Sequence, residues 1–386
     1  MADFQKAFEF VMGHEGGNQY SQEEQDDNIL LCSDCFKDEG MKINAIEIGI
    51  ENTNECPNCK SKEGNKLTKE LVQKLCYVFF VRGTIYKTTY GGSPLIQFNE
   101  QHFGKSDIEV SSWLKDDVKL LEQAGGLGFF HYGPRLWMVG SIEPLESLQD
   151  KEERVEIVKR ILQDYPSREL SRAEYFYRVR VNPKRPYDFS EYDTAPDEFL
   201  GRNRFDSATL PVLYGSPDLE LCLHECRTTV EDELFVAKLV PNQTLKVLDL
   251  SARIEEEGTE FESLDIAVHF LFLAGKHSYD ICRAIATAAK DYGYDGIIYP
   301  SYFSYVRTGH IPFETVYGIS IRRFSHLKDY IQSQSVPNVA LFGRPLKENK
   351  VSLECINKVV INRIQYSLTF GPVLNEEVDV DVMDNN

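Results

Sequence analysis

Two pairs of cysteines near the start of the chain constrain its fold more than any other sequence feature. Cys32 and Cys35 form one CxxC pair, Cys56 and Cys59 form a second, and 20 residues separate the pairs. This spacing is typical of two zinc knuckles that bring four thiolates to one tetrahedral ion. Four protein ligands leave no open coordination position, so we expect a structural Zn2+. The alternative is four ordinary reduced cysteines.

The segment around these cysteines is too polar to fold by apolar burial alone. Residues 1–69 contain the run QYSQEEQDDN and few bulky apolar side chains outside ILL and INAIEIGI. Metal binding can hold such a segment, because it contributes about 10 kcal/mol or more in small zinc sites. We therefore predict a zinc-ribbon-like N-terminal segment over residues 1–69.

Length and composition argue for a folded protein and against nucleic acid as a partner. The 386 residues suggest two or three domains, and 42% hydrophobic and 12% aromatic residues are enough to build a core. The formal charge of −19 repels polyanions. Nucleic-acid binding is therefore not expected.

Membrane insertion and secretion are not expected either. The longest apolar run, AVHFLFLAG at residues 267–275, is about half the ~20 residues that a membrane-spanning helix needs. The N-terminal residues show no basic region followed by a long apolar stretch and a cleavage site. The cysteines outside the CxxC pairs lie in apolar or helical stretches. We expect a cytoplasmic protein in a reducing compartment.

Changes in sequence character divide the rest of the chain. From Leu71 to about Tyr165 the apolar spacing is helical, and SSWLKDDVKLLEQAGG closes with a Gly pair suited to a helix C-cap. The charged stretch LQDKEERVEIVKRILQDYPSREL predicts a solvated amphipathic helix that ends at Pro166 and connects two domains. Short β-rich and helical runs alternate from Ala173 on, which is an α+β pattern. We predict a mainly helical regulatory or assembly domain at 70–165, an α+β domain at 166–325, and a C-terminal extension with an acidic tail at 326–386.

The most informative stretch of the α+β part begins at Arg204, in an Arg-rich loop. It passes through an apolar strand that ends at Tyr214 and then enters a helix, for which Ser216 is a suitable N-cap. Glu225 falls two turns into that helix on its apolar side, so we expect an inward-facing carboxylate. One structural explanation is a buried ion pair with an arginine such as Arg178 or Arg204.

The order and spacing of these residues resemble the RES domain family, named for an Arg, a Glu and a Ser. The family pattern has an Arg in a GRWNS-like loop, a Tyr ending the next strand, a Glu in the following helix and a Ser after a strand that ends in Pro. Asp206 stands where the pattern has Asn. The zinc ribbon and helical stretch also resemble an N-terminal extension of some RES proteins. The matching residues are Arg178 in EYFYRVR, Arg204 in RFDS, Tyr214 in VLYGS, Glu225 in LCLHEC and Ser301 in DGIIYPS.

The resemblance implies an ADP-ribosyltransferase-like fold with small mixed sheets that binds NAD+ and breaks its nicotinamide–ribose bond. Glu225 would then stabilise the ribosyl cation or orient the incoming nucleophile. Arg178 and Arg204 would offer planar forks to the pyrophosphate. Tyr214 would stack on the departing nicotinamide, and Ser301 would hydrogen-bond the ribose or the amide. Arg204 and Tyr214 thus join Glu225 as candidate catalytic residues.

The resemblance leaves three functions open. Toxins of the family destroy NAD+ by hydrolysis or phosphorolysis, so the leading hypothesis is an NAD+-consuming toxin or phage-defence effector. A mono-ADP-ribosyltransferase that modifies a protein differs only in its acceptor. A non-catalytic scaffold that senses NAD+ or ADP-ribose would not require the Glu. Family toxins often pair with a small antitoxin, so the expected partners are NAD+, an antitoxin or regulatory protein, and a second copy of the chain.

Overall fold

A computed structural model describes residues 28–99, 107–132, 142–309, 315–316, 319–366 and 368–374 of the chain. The described residues group into two compact units. The smaller unit takes the described parts of 9–88, 92–139 and 366–386, and the larger takes 89–91 and the described part of 140–365. The acidic tail at 375–386 lies outside the described residues. The four-segment division made from sequence character stays a prediction.

The smaller unit combines short two-stranded sheets with helices around an apolar core. The largest fully buried side chains of this core include Met41, Phe79, Phe80 and Phe129. Its strands are β1 (Ile29–Cys32), β2 (Lys66–Thr68), β3 (Ile85–Thr88), β4 (Gly91–Pro94), β5 (Ile96–Asn99) and β6 (Gly128–His131), and its helices are α1 (Glu39–Ile48), α2 (Lys69–Cys76) and α3 (Lys115–Gly125).

The helical pattern of this region predicts its helices better than its strands. α2 continues as a π-helical turn at Tyr77–Val81. α3 ends at the predicted glycine pair, where Gly126 takes a left-handed φ of 63° as the C-cap, because glycine adopts that conformation without steric cost. The strands β3 to β6 were not predicted by the apolar spacing. Their short runs carry too few alternating residues to give a β signal of their own.

The C-terminal part of the chain packs into the smaller unit. Phe370 lies against the core of that unit, and the Asn44 side chain donates a hydrogen bond to the Phe370 carbonyl oxygen at 3.3 Å. Gly83 and Gly371 meet backbone to backbone, since a Cβ added at Gly371 would lie 2.2 Å from the Gly83 carbonyl oxygen. Glycine is therefore required at this contact for lack of space.

The larger unit holds a five-stranded sheet, a three-stranded sheet and a two-stranded ribbon among its described residues. Helices cover the five-stranded sheet and supply much of the core. The strands are β7 (Ser167–Leu170), β8 (Phe176–Val181), β9 (Val212–Gly215), β10 (Leu234–Pro241), β11 (Leu245–Asp249), β12 (Gly296–Pro300), β13 (Thr315–Val316), β14 (Ile319–Ser320), β15 (Pro337–Phe342) and β16 (Val351–Val359). The helices are α4 (Glu143–Gln149), α5 (Arg154–Asp164), α6 (Leu219–Cys226), α7 (Leu264–Leu273), α8 (Tyr279–Asp291), α9 (Ser304–Thr308) and α10 (Lys328–Ser333).

The five-stranded sheet has the order β7-β11-β12-β15-β9. β11 pairs with β12 in parallel, and the other neighbours are antiparallel. The three-stranded sheet has the order β16-β10-β8 and is antiparallel. The predicted fold class of helices with small mixed sheets is confirmed.

The charged stretch predicted as a solvated connector forms α5, and one face of this helix is covered. Val158 is 6% exposed and Ile161 fully buried, both within the core of the larger unit. The apolar run that begins at Ala267 belongs to α7, which is buried almost all round. No helix in the described parts of the chain combines the length and the apolar character that crossing a membrane requires.

Candidate functional site

Glu225 presents an oriented carboxylate near the C-terminal end of α6. Its Oε1 atom accepts hydrogen bonds from Ser301 Oγ at 2.6 Å and from Asn338 Nδ2 at 2.7 Å. Ser301 directly follows β12, and Asn338 lies on β15, the next strand of the sheet. The residue is exposed. Two neutral donors therefore hold one oxygen of a carboxylate that solvent and a ligand can reach.

The start of α6 differs from the sequence prediction. The N-cap is Asp218, whose side chain accepts a hydrogen bond from Leu221 N at 2.8 Å. Ser216 was expected to be the cap, but its main chain is still extended and bridges to Tyr177. The Ser216 hydroxyl instead donates to the carbonyl oxygen of Pro337 at 3.1 Å. The predicted N-cap was wrong because strand pairing persists past the apolar run.

Glu225 was expected to face inward, and the structure shows an exposed residue whose carboxylate turns to two buried side chains, Ser301 and Asn338. α6 ends at Cys226, and its last turn is exposed. The carboxylate crosses to Ser301 and Asn338, and neither Arg178 nor Arg204 donates a hydrogen bond to it in the described structure. A buried ion pair with an arginine therefore does not explain Glu225.

Arg204 binds the C-terminal end of α7. Its Nη1 donates to the carbonyl oxygen of Leu271 at 2.6 Å, and its Nη2 donates to that of Ala274 at 3.0 Å. The guanidinium also lies over the Tyr279 ring, 5.2 Å from the ring centroid. A cation at a helix C-terminus satisfies free carbonyls and interacts favourably with the helix dipole. Arg204 thus fixes the end of the helix that contains the longest apolar run of the sequence.

The Tyr214 side chain anchors the Arg-rich loop through hydrogen bonds to the main chain of that loop. Its phenol oxygen accepts hydrogen bonds from Phe205 N at 2.9 Å and Asp206 N at 3.1 Å. The Asp206 carboxylate accepts in turn from Gly201 N at 2.7 Å and Asn203 N at 2.9 Å. Burial raises the pKa of Tyr214 well above its usual value, so the phenol stays neutral. The Asp that departs from the family pattern organises this loop.

Arg178 is a buried cation bonded to main-chain carbonyls. It is 6% exposed, and its Nη1 and Nη2 donate to the carbonyl oxygens of Tyr214 at 2.6 Å and Asp193 at 2.9 Å. Burial lowers the pKa of Arg178 well below its usual value, and the neighbouring Arg180 adds to this effect. The buried Nε of Arg178 has no hydrogen-bond partner among the described residues. A buried donor of this kind is one that an anion could satisfy.

Tyr299 is a buried tyrosine whose pKa is influenced by both Glu225 and Arg204. It is 8% exposed, and burial together with the negative charge of Glu225 raises its pKa, whereas the charge of Arg204 acts in the opposite direction. Tyr299 is also opposite Asn338 in the antiparallel pairing of β12 with β15. The charges of Glu225 and Arg204 thus both act on the Tyr299 phenol, and Tyr299 in turn contributes to the raised pKa of Tyr214.

Sequence reasoning missed both Tyr299 and Asn338. Tyr299 lies inside the DGIIYPS motif, where it was read only as part of a strand. Asn338 is the one polar residue of the strand PNVALF, and it is 3% exposed. A lone amide in an apolar strand was the available signal, because a buried polar group needs a partner.

The four predicted metal ligands lie together in the smaller unit. The sulfur-to-sulfur distances are 3.3 Å for Cys32 and Cys59, 3.8 Å for Cys32 and Cys35, and 3.6 Å for Cys35 and Cys56. A tetrahedral ion with Zn–S bonds of about 2.3 Å spaces its sulfurs about 3.8 Å apart. Burial raises the pKa of Cys35 to about 11, so a bound cation would supply the charge that thiolates need. The cluster fits a zinc ribbon.

A comparison with protein families identifies part of the larger unit. The protein-family model of the RES domain matches residues 175–310. These residues form a RES domain. Arg178, Arg204, Tyr214, Glu225 and Ser301 all lie inside the RES domain, whereas Asn338 lies 28 residues beyond its matched end.

One solved structure is similar to the chain. It is the crystal structure of the M. tuberculosis MbcT–MbcA toxin–antitoxin complex, with 15% sequence identity, coverage of 55% of this chain and 94% of that chain, and a TM-score of 0.33. No curated protein matches the chain.

Proposed function

We propose that this chain is an enzyme that consumes NAD+ by breaking its nicotinamide–ribose bond. The observation that carries the proposal is the exposed Glu225 carboxylate in the RES domain, held on one oxygen by Ser301 and Asn338. Loss of nicotinamide leaves positive charge on the ribosyl ring, and a fixed carboxylate stabilises that charge where it develops. Among the described residues, Oε2 of Glu225 accepts no hydrogen bond and is free to face the ribose.

The two arginines support binding of the pyrophosphate. Arg178 brings an unpartnered buried Nε, and Arg180 places a second guanidinium beside it. Arg204 donates to two carbonyl oxygens of α7, so it would exchange at least one of them for a phosphate oxygen. We assign Tyr214 to the nicotinamide side of the site, since its phenol already ties the Arg-rich loop to β9.

The acceptor of the ADP-ribosyl group decides which reaction this is. Water gives a glycohydrolase, phosphate a phosphorylase, and a protein side chain a mono-ADP-ribosyltransferase. We propose the first two as the toxin-like activities. A small antitoxin would then bind over the exposed Glu225 carboxylate, and the smaller unit would regulate or assemble the enzyme.

The test is an incubation of purified protein with NAD+, with and without phosphate, followed by measurement of free nicotinamide. Wild type should release nicotinamide, and Glu225→Ala should release it at least about 100-fold more slowly, because a fixed electrostatic group of the site is lost. Dependence on phosphate distinguishes phosphorolysis from hydrolysis, and label from ADP-ribose on protein would reveal a transferase.

A matched control is Glu231→Ala, which removes another exposed carboxylate of the same unit. Glu231→Ala should keep the wild-type melting temperature, because its side chain is exposed. Glu225→Ala should melt at a somewhat lower temperature, because the buried Ser301 hydroxyl and Asn338 amide lose this acceptor, so circular dichroism at the assay temperature checks that the variant is folded. Equal turnover by wild type and Glu225→Ala would refute the assignment. NAD+ binding without turnover by wild type would favour the sensing scaffold.

A further inference from the structure

We propose that Asn338, which lies outside the family match, is a positioning residue for Glu225 and thus for the proposed NAD+ chemistry. Its side-chain amide and the Ser301 hydroxyl converge on Oε1 of Glu225, at 2.7 Å and 2.6 Å. The two bonds fix the plane of the carboxylate and direct Oε2 to the substrate. Strand β15, which follows the residues matched by the family model, therefore contributes to the site. This inference rests on the proposed function for its kinetic readout only.

The position of Asn338 in the sheet supports a specific role for its amide. Asn338 is opposite Tyr299 in the antiparallel pairing of β15 with β12. It is 3% exposed, and its strand neighbours are apolar. An amide buried there costs free energy unless its groups are hydrogen-bonded, and an apolar side chain would avoid that cost. The partner that offsets this cost is the Glu225 carboxylate.

The Ser301 hydroxyl cannot hold the carboxylate in the same way alone. Its oxygen accepts a hydrogen bond from Phe303 N at 3.0 Å, so its own proton is directed to Glu225. One donor leaves the carboxylate free to rotate about that bond. A second donor from another strand removes this freedom, because two bonds from different directions define a plane.

Several titratable groups in the described structure are close enough to sense the charge of Glu225, and His224 precedes it on the same helix. Tyr299 approaches it from β12, and Cys222 and Cys226 lie on its own helix. Burial raises the pKa of all three, that of Cys222 to about 12, so they are neutral near pH 7. Asn338 and Ser301 do not titrate. An aspartate at position 338 would therefore add a carboxyl group that titrates next to Glu225.

The test compares Asn338→Asp and Asn338→Ala with wild type, using kcat and KM for NAD+ between pH 5 and 9. Asn338→Asp places a second carboxyl against Glu225, and like charges at that distance disfavour joint ionisation. The acidic limb of kcat should move up by at least about one pH unit. Asn338→Ala should lower kcat about tenfold with little change in KM.

The matched control is Asn182→Asp. The Asn182 amide also donates to a carboxylate, Asp232 Oδ1 at 3.2 Å, on the exposed surface. This variant should keep the wild-type kcat and pH profile. If Asn338→Asp does not fold, Asn338→Ser replaces it, with the expected loss in kcat. Unchanged kcat and an unchanged pH profile in a folded Asn338 variant would overturn the proposal.

A second readout does not depend on turnover. In protein labelled with 13C at glutamate carboxyls, the Glu225 signal is assigned by its loss in Glu225→Gln. Its titration midpoint should move to higher pH in Asn338→Asp but not in Asn182→Asp. That shift without any NAD+ turnover would retain the positioning role and reject the proposed function. NAD+ turnover without that shift would retain the proposed function and reject the positioning role of Asn338.

Discussion

At the scale of single residues, the arginines of the site are bonded to main-chain carbonyls instead of carboxylates. Arg204 binds the last carbonyls of α7, and Arg178 binds those of Tyr214 and Asp193. Such bonds are charge-assisted, yet they leave the positive charge without a counter-ion. A polyanion such as a dinucleotide would find that charge in place.

Arg204→Lys should lower the stability of the larger unit. Lysine keeps the charge, but a single ammonium group cannot replace the planar fork that reaches Leu271 and Ala274 together. We expect the free energy of unfolding to fall by about 1–3 kcal/mol, measured by urea denaturation at pH 7. Arg202→Lys, two positions earlier and exposed, serves as the control. Equal stability of the two variants would contradict the capping role.

The residues of the site differ in how far the sequence could predict them. Glu225 and Ser301 were recognised from motif order, and the structure joins them by a hydrogen bond. Asn338 could not be found in that way, because its contact with Glu225 spans 113 positions of the chain. Such a contact depends on the strand order β12-β15, which no local pattern encodes.

At the scale of elements, the sequence predicted those features that depend on residues close together in the chain. The glycine C-cap of α3 is set by backbone conformation, and the Cys cluster by ligand spacing. The charged residues of α5 dominate its sequence and predict a solvated amphipathic helix, whereas its apolar face meets the core through Val158, Ile161 and partly buried neighbours. Amphipathic helices of this kind are assigned to a surface or a core only by what packs on them.

The cysteine cluster should bind one zinc per chain. Cys56→Ser replaces one sulfur ligand with a weakly coordinating hydroxyl, so the variant should lose the metal, as should wild type treated with a chelator. The smaller unit should then exchange its amide hydrogens faster, because metal binding contributes to its folding. Metal content by mass spectrometry and hydrogen exchange are the measurements. Cys355→Ser, at an exposed cysteine of β16, should keep the zinc; protein purified without zinc would rule out the site.

At the scale of the whole molecule, the larger unit is nearly continuous in sequence and the smaller one is not. Residues 366 and 368–374 return to the smaller unit after all the strands of the larger one have been completed. The backbone contact between Gly83 and Gly371 is part of this closure. Sequence character could not predict it, since the segment around Phe370 resembles an ordinary extension.

Gly371→Ala should destabilise the smaller unit selectively. The added Cβ would overlap the Gly83 carbonyl oxygen, and backbone cannot shift as easily as a flexible side chain. We expect faster hydrogen exchange and proteolysis in α1 and α2, with the larger unit unaffected. Gly275→Ala is the control, because its new Cβ would meet only His277 atoms at 3.8 Å or more. Identical exchange in both variants would show that the contact is dispensable.

Because the segment around Phe370 completes the core of the smaller unit, that unit cannot finish folding until the end of the chain has been synthesised. About 240 residues separate Leu127, in the core of the smaller unit, from Phe370, which packs on the same core. At 5–20 residues per second, a ribosome needs roughly 10 to 50 seconds to supply that segment. A nascent chain would thus expose an unfinished N-terminal half while its RES domain is made. The smaller unit would be completed only after every proposed catalytic group had left the ribosome.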